Sequence, residues 1–279
     1  MKNNTVKFWG ITALLFVLLG VYLFATAPAP LQTQEQTIYA MSAEDALDLL
    51  AHENNVTRTL FTKSIVQQGK AHGLKFSEDW RDRDVVAGPL PALFLRGISE
   101  SIARNGVPLG LYLGSDFPIE SSNRFEGKQK EEFAAMREDG KVRYFRDTES
   151  QAVLAMYPDY ASAPACVSCH NDHASSSKTD WELGDIMGAT TWSYPNDSLT
   201  MDEFVSVLSA YREGVSDVWI EYLSEFDDMT EAERPEFGAL WPVESAQLPS
   251  ISALHDSLNT LTSPLLMESL LSFSERADS

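Results

Sequence analysis

The chain has 279 residues, of which 44% are hydrophobic, and its formal net charge is −20. Roughly 250 residues outside the N-terminal apolar segment suit one or two domains. The acidic balance argues against nucleic acid and anionic lipid surfaces as partners. It is compatible with a basic electron-transfer protein as a partner, although acidity more often serves solubility.

The N-terminus has the pattern of an export signal. Lys2 and Lys7 precede an uncharged apolar run, residues 8–27, which has about the length needed to cross a bilayer as a helix. The positive-inside rule then makes residues 1–7 a cytoplasmic stub and places everything after residue 28 outside. Cleavage after Ala27 is the alternative. We expect a retained transmembrane anchor, and therefore a single-pass inner-membrane protein whose C-terminal domain lies in the periplasm.

Helices are expected to come first in the folded part of the chain. Residues 28–41 predict a linker, and Ser42, followed by two acidic residues, predicts a helix start. That helix should end near Gly73 and bury one face, formed by Leu47, Leu50, Phe61 and Ile65. A break at Gly88-Pro89-Leu90-Pro91 precedes a second predicted helix over 92–105.

The middle of the chain mixes strands with helices. Strand patterns occur at 109–113, 143–146, 152–157 and 185–194, and a helical pattern at 125–139. The strands at 143–146 and 152–157 are expected to pair as a hairpin that leads to the next motif. This order predicts an α+β domain over residues 42–198. Beyond it, residues 199–279 predict a helical extension, because apolar residues recur at helical spacing from Phe204 to Tyr222 and a final helix is expected over 251–273. An acidic, proline-interrupted segment separates these two helices.

The most informative motif is C-x-x-C-H at Cys166-Val167-Ser168-Cys169-His170, which uses the only two cysteines of the chain. This is the attachment pattern of a c-type haem. The two thiols form thioethers with the haem vinyl groups, and the adjacent imidazole binds iron as the proximal axial ligand. The motif therefore predicts one haem c, covalently held by Cys166 and Cys169, with His170 on the metal.

Three other interpretations of the motif are weaker. A disulfide between these cysteines would close a very small loop and restrain little. A structural zinc site needs a second pair of ligands. His173 could supply one of them, but the sequence has no second cysteine pair. A redox dithiol wants a βαβ context, whereas a loop-like composition precedes this motif.

Residues 165–194, ACVSCHNDHASSSKTDWELGDIMGATTWSY, resemble a specific family. This family comprises c-haem domains with a PAS-like fold and has long been described as a domain of unknown function. Its members stand alone or act as periplasmic sensor regions of kinases and cyclases. The shared positions are Cys166, Cys169, His170, Asn171, Lys178, Asp180, Trp181, Gly184 and Asp185. The similarity spans about residues 80–195 and includes Pro89–Ala92 and the segment from Phe117 to Phe125.

The resemblance implies a PAS-like antiparallel sheet with flanking helices, one haem c, and a role in sensing or electron transfer. Two departures limit it. No third cysteine is present to serve as a distal ligand, and the kinase or cyclase output domains of the family are absent.

The sixth iron ligand is the open question of the site. On a continuous helix of about 100° per residue, His72 falls near the buried face and His52 about 140° away from it, so His72 is the favoured distal ligand. Its alternative role is to cap the helix end. Met187 is a second candidate, otherwise a core residue, while His173 and His255 suit surface or ordinary helix positions. An empty or weakly bound site is the remaining possibility.

Several other side chains are candidates for contacts with the haem. Trp181 and Trp192 could wall it, although aromatic residues near strands more often belong to the core. Lys178, Arg143 and Arg146 could pair with the propionates, or could be solvated surface charges.

The sequence predicts a membrane-anchored, periplasmic monohaem protein that senses redox state or a gas and signals to a protein partner. The alternative is a periplasmic electron-transfer cytochrome. A purely structural haem protein is a third possibility. We do not expect an enzyme, because no second chemical constellation accompanies the haem motif.

Overall fold

The computed structural model describes residues 9, 14–22, 26, 40–71, 73–227 and 250–277. The chain divides into two units, Met1–Ile38 and Tyr39–Ser279. The predicted haem motif and the elements around it all belong to the second unit.

The predicted transmembrane anchor is wrong. In the first unit the residues that the structure describes, 9, 14–22 and 26, are helical. No helix among the described residues is long and apolar enough to cross a membrane. This finding also overturns the expected single-pass location in the inner membrane. The other residues of segment 8–27, the stub at 1–7 and linker residues 28–39 lie outside the described residues.

The first helix of the second unit begins where its sequence predicts. Strand β1 (Ala40–Ser42) leads into α1 (Ala43–Leu60), and Ser42 caps it by accepting the Asp45 N–H at 3.1 Å. The helix continues as a π-helix over Phe61–Gln67 and ends with α2 (Gln68–Ala71). The buried face predicted for this helix, which includes Leu47 and Ile65, is confirmed. Because a π-helix has more residues per turn than an α-helix, the even 100° steps used to place His72 do not hold beyond residue 60.

The remaining elements follow the predicted order closely. They are β2 (Phe76–Ser77), β3 (Gly88–Pro89), α3 (Pro91–Asn105), β4 (Gly110–Gly114), a 3-10 turn (Ser121–Asn123), α4 (Gly127–Asp139), β5 (Arg143–Arg146), β6 (Val153–Tyr160), α5 (Pro164–Asp172), β7 (Ile186–Tyr194), β8 (Ser198–Thr200), α6 (Met201–Asp227) and α7 (Ile251–Ala277). The acidic segment between α6 and α7 lies outside the described residues.

A four-stranded antiparallel sheet forms the centre of the unit, in the order β4-β7-β6-β5. Its long central pair runs from Val153 opposite Tyr194 to Tyr160 opposite Ile186, with a register shift between Asp159 and Tyr160. The predicted hairpin of β5 and β6 is confirmed. Helices and this sheet confirm the α+β class. The membrane anchor of the expected fold is corrected, and the PAS-like arrangement stays a prediction.

The sheet separates two hydrophobic clusters. Ala155 and Trp192 belong to the main core, which also takes in α1, α3, α6 and α7. Met156 and Ala189 instead pack with Phe133 of α4. Helix α6 lies close against α3, where a Cβ on Gly97 would come within 2.6 Å of Val218. A third and smaller hydrophobic cluster lies at the end of the β6–β7 pair, where the chain turns into α5.

Candidate haem site

The C-x-x-C-H motif lies on a short surface helix, α5. Ala163 is extended and Pro164 occupies the first turn, where proline favours helix initiation. The His173 N–H donates to the Cys169 carbonyl at 3.0 Å and ends the helix. Side chains three and four residues apart share a helix face, so α5 presents Cys166, Cys169 and His170 together. The composition before the motif suggested a loop, and Pro164 was the overlooked sign of a helix start.

Both cysteines are free thiols; Cys166 is half-buried and Cys169 exposed. Cys166 packs with Val167 and Phe117 against a small buried cluster of Ala161, Trp181 and Met187. Burial raises the pKa of the Cys169 thiol, the charges of Glu78 and Cys166 add to this, and Lys70 opposes it. The thiols thus stand at the edge of an apolar patch and form no disulfide with each other.

His170 is half-buried on the same face of α5. Burial lowers the pKa of its imidazole, the charge of His173 lowers it further, and Glu78 acts in the opposite direction. Its Nδ1 atom is buried and has no hydrogen-bond partner among the described residues. A neutral imidazole is the form that binds a metal ion, so this side chain fits the role of the proximal ligand.

Asn171 fastens the segment after the motif to α5. Its side-chain amide donates to the Trp181 carbonyl at 3.0 Å, and its oxygen accepts the Trp181 N–H at 2.9 Å. Trp181 is 3% exposed and meets Phe117 edge-on, with 6.0 Å between the ring centroids. The asparagine therefore positions an aromatic wall beside Cys166.

Lys178 lies at the same wall. Its ammonium stands 4.5 Å from the centre of the Trp181 ring, a cation–π contact, and it forms an ion pair with Asp180. The two arginines proposed for the propionates lie on β5, at the far edge of the sheet. Arg143 pairs with Asp139 at 2.7 Å, and Arg146 pairs with Asp197.

The candidates for the sixth iron ligand differ in their surroundings. His72 lies outside the described residues. His173 pairs with Glu78 at 3.3 Å, and His255 contacts the Ser216 hydroxyl at 2.7 Å. Met187 is 8% exposed and belongs to the cluster that Cys166 joins. Trp192 belongs to the main core rather than to this cluster.

Sequence reasoning missed one charged pair near the motif. Arg58 of α1 forms an ion pair with Asp159 of β6, whose other oxygen accepts the Thr190 hydroxyl at 2.9 Å. The charge of Asp159 is the main cause of the raised pKa of Arg58, and Cys166 contributes to it as well. The guanidinium is thus within electrostatic reach of the first thiol. The charge pattern of the sequence offers no sign of this pairing across 101 positions.

The donor set fits a haem c: two thiols and a neutral imidazole on one helix face, beside a patch of buried aromatic and apolar side chains. In the part of the chain that the structure describes, no group of three or more His, Cys, Asp or Glu side chains could hold a bare metal ion.

Comparison with known proteins supports this interpretation. The Tll0287-like family model matches residues 34–195, more than half of the chain, and the chain belongs to this family. It is a family of c-type haem-binding sensor domains. The resemblance is therefore confirmed at the level of the family, while haem binding by this chain and a PAS-like fold stay predictions. Neither a search of curated proteins nor a search of solved structures gave a match.

Proposed function

We propose that this chain carries one haem c, attached through Cys166 and Cys169 with His170 as proximal ligand, and that it senses redox state or a diatomic gas. One observation carries the proposal: α5 presents both thiols and the imidazole on one face, beside a buried apolar cluster. Membership of the Tll0287-like family supports it. On this proposal the chain is a receptor for a signal and catalyses no reaction.

The surrounding residues have separate tasks. A bound haem would supply an iron that changes oxidation state and can take a diatomic gas in exchange for a displaced protein ligand. Trp181 and Phe117 exclude water from one side, and Asn171 fixes the Trp181 backbone. Lys178 offers a positive charge for a propionate. The sixth position falls to His72, or else to Met187.

A route for the signal follows from the packing of α1. The antiparallel sheet with flanking helices is compatible with the PAS-like arrangement that the resemblance implies. Helix α1 carries Arg58 near Cys166, and on its other side Glu53 pairs with Arg212 of α6 at 2.8 Å. Arg212 also donates to Asn259 of α7 at 2.8 Å. A change at the haem could thereby reach α6 and α7, and through them a protein partner.

Electron transfer is the second candidate function. It is favoured by the exposure of α5, in which no residue is buried. A haem attached there would keep one edge accessible to a redox partner, and the acidic chain could attract a basic one.

Haem attachment is tested by producing the full chain together with haem c maturation machinery and measuring its intact mass and absorption spectrum. We expect one haem per chain, retained after denaturation because the link is covalent. The matched control is Cys166→Ala/Cys169→Ala, which should emerge without covalent haem. Colourless wild-type protein at the mass of the bare polypeptide would overturn the proposal.

Carbon monoxide separates the two functions. Rapid and tight binding to the reduced protein supports gas sensing. Reversible voltammetry without carbon monoxide binding supports electron transfer.

The absorption spectrum of the oxidised protein tests the iron ligands. We expect a six-coordinate, low-spin ferric spectrum, and a high-spin spectrum would remove both His72 and Met187 as ligands.

A further inference from the structure

A second candidate site lies away from the motif, in a cavity of about 360 Å³ between α1 and strands β6 and β7. Its polar lining includes Asp48, His52, Asn54, Arg58, Asp159 and Trp192. None of these residues belongs to the motif or to the apolar cluster beneath it. The cavity therefore needs an explanation separate from haem attachment.

The lining of this cavity offers hydrogen-bond donors. Trp192 is fully buried, and its indole N–H has no partner among the described residues. The Asn54 oxygen accepts from Tyr211 at 3.2 Å, which leaves the amide N–H groups for another partner. Arg58 reaches Asp159 through one nitrogen, although a guanidinium has five N–H donors. An acceptor-rich group, such as a carboxylate, would satisfy these donors.

The carboxylates of the cavity differ in how far they are already engaged. Asp159 uses one oxygen for Arg58 and the other for Thr190. Asp48 lies at the exposed rim, where one oxygen, Oδ1, accepts from both Tyr144 at 2.6 Å and Tyr157 at 2.5 Å. Its second oxygen therefore remains open to a positively charged group.

The charge balance narrows the class of ligand. Among the carboxylates and the guanidinium of the lining, Asp48 and Asp159 outweigh Arg58 by one negative charge. A plain anion would meet net repulsion, and a plain cation would leave the buried donors unpaired, which is costly. A molecule with a carboxylate at one end and an ammonium at the other meets both requirements.

We propose that this cavity binds a small zwitterion of the amino-acid class. The carboxylate lies toward Trp192, Asn54 and Arg58, and the ammonium toward Asp48. Ala51 and Pro158 add apolar surface to the lining, which leaves room for a side chain. The proposal goes beyond haem sensing and does not depend on it, although Arg58 links the cavity electrostatically to Cys166.

Calorimetric titration of the haem-loaded full chain tests the ligand class. L-Alanine, L-leucine and L-glutamine are the probes, and leucine has two matched analogues, 4-methylpentanoate without the ammonium and 3-methylbutylamine without the carboxylate. We expect at least one amino acid to bind, and each leucine analogue to bind about tenfold more weakly than leucine or worse. No binding of any probe up to about 10 mM, or equal binding of either analogue, overturns the proposal.

Two variants place the binding in this cavity. Trp192→Phe removes the indole N–H, and Asp48→Asn removes the rim charge while keeping an oxygen for the two tyrosines. Each should weaken amino-acid binding about tenfold. The control Trp80→Phe alters a buried tryptophan outside the cavity and should leave the affinity unchanged. Unchanged affinity in both cavity variants contradicts the assignment. Circular dichroism tests whether each variant is folded. If Trp192→Phe does not fold, the affinity of Asp48→Asn alone decides whether the ligand binds in this cavity.

Discussion

Asn171 shows what a single side chain does for the candidate haem site. It occupies both backbone groups of Trp181 with one amide, so the segment that carries Lys178 and Trp181 is held against α5. Substitution Asn171→Ala leaves a backbone N–H and a carbonyl without their partners. We expect the free energy of unfolding to fall by about 1–3 kcal/mol, measured by urea denaturation of the protein.

The control for this prediction is Asn105→Ala. The Asn105 amide donates to Glu213 at 3.1 Å on the exposed surface, where substitutions usually change stability by less than about 0.5 kcal/mol. An equal decrease in the free energy of unfolding of the two variants would contradict a stabilising role of the contact between Asn171 and Trp181.

The residues of the site were predictable to different degrees. Cys166, Cys169 and His170 follow from a motif of adjacent residues, because haem attachment fixes both their types and their spacing. Arg58 and Asp159 carry no such local pattern, since only the packing of α1 on β6 brings them together. The sequence therefore predicts the covalent anchor but not the charges that surround it.

Among the elements, α1 and α6 are joined by a buried ion pair. The Glu53 side chain is 3% exposed and that of Arg212 is 25% exposed. Removing one partner of a buried pair leaves an uncompensated charge, so Arg212→Ala should destabilise the fold by about 3–5 kcal/mol. Thermal and urea unfolding measure this loss. If α6 relays a signal from the haem to a protein partner, Arg212→Ala should also weaken the change that haem oxidation or gas binding produces in that partner.

Arg81→Ala is the matched control for this pair. Arg81 contacts Glu221 at 2.7 Å, but both side chains are about 40% exposed. Exposed pairs contribute about 0–1 kcal/mol, so this variant should unfold close to wild type. A comparable loss in both arginine variants would contradict a special role for the buried pair.

Periodic elements were predicted well, and irregular ones were missed. The cap at Ser42, the hairpin of β5 and β6 and the long strand β7 all follow from local spacing and capping chemistry. The π-helix at Phe61–Gln67 and the pairing of β1 with β8 depend on distant packing. The N-terminal anchor was predicted from the length of the apolar run and its flanking lysines, whereas no helix among the described residues is long and apolar enough to cross a membrane.

At the scale of the whole molecule, one core unites early and late parts of the chain. Leu47 of α1, Trp192 of the sheet, Tyr211 of α6 and Leu258 of α7 all belong to it. Global unfolding should therefore expose several tyrosines of this core together. Their ionisation couples the stability of the entire fold to alkaline pH.

Alkaline unfolding is the corresponding prediction. Burial is the main cause of the raised pKa of Tyr157, Tyr211 and Tyr222 in the folded chain. In the unfolded chain a tyrosine ionises near about pH 10. Below that pH both states keep the protons and the free energy of unfolding is unaffected. Above it the unfolded state binds fewer protons, so stability falls as pH rises.

Urea unfolding from pH 8 to about pH 11.5, with tyrosinate absorbance recorded in parallel, tests this coupling. We expect the urea midpoint to decrease only above about pH 10, and part of the tyrosinate signal to appear only when the chain unfolds. Tyr211→Phe removes one coupled proton and should make the decline shallower, whereas Tyr22→Phe, in the first unit, should leave it unchanged. Full tyrosinate formation in protein that is still folded would contradict the buried, protonated state of these side chains.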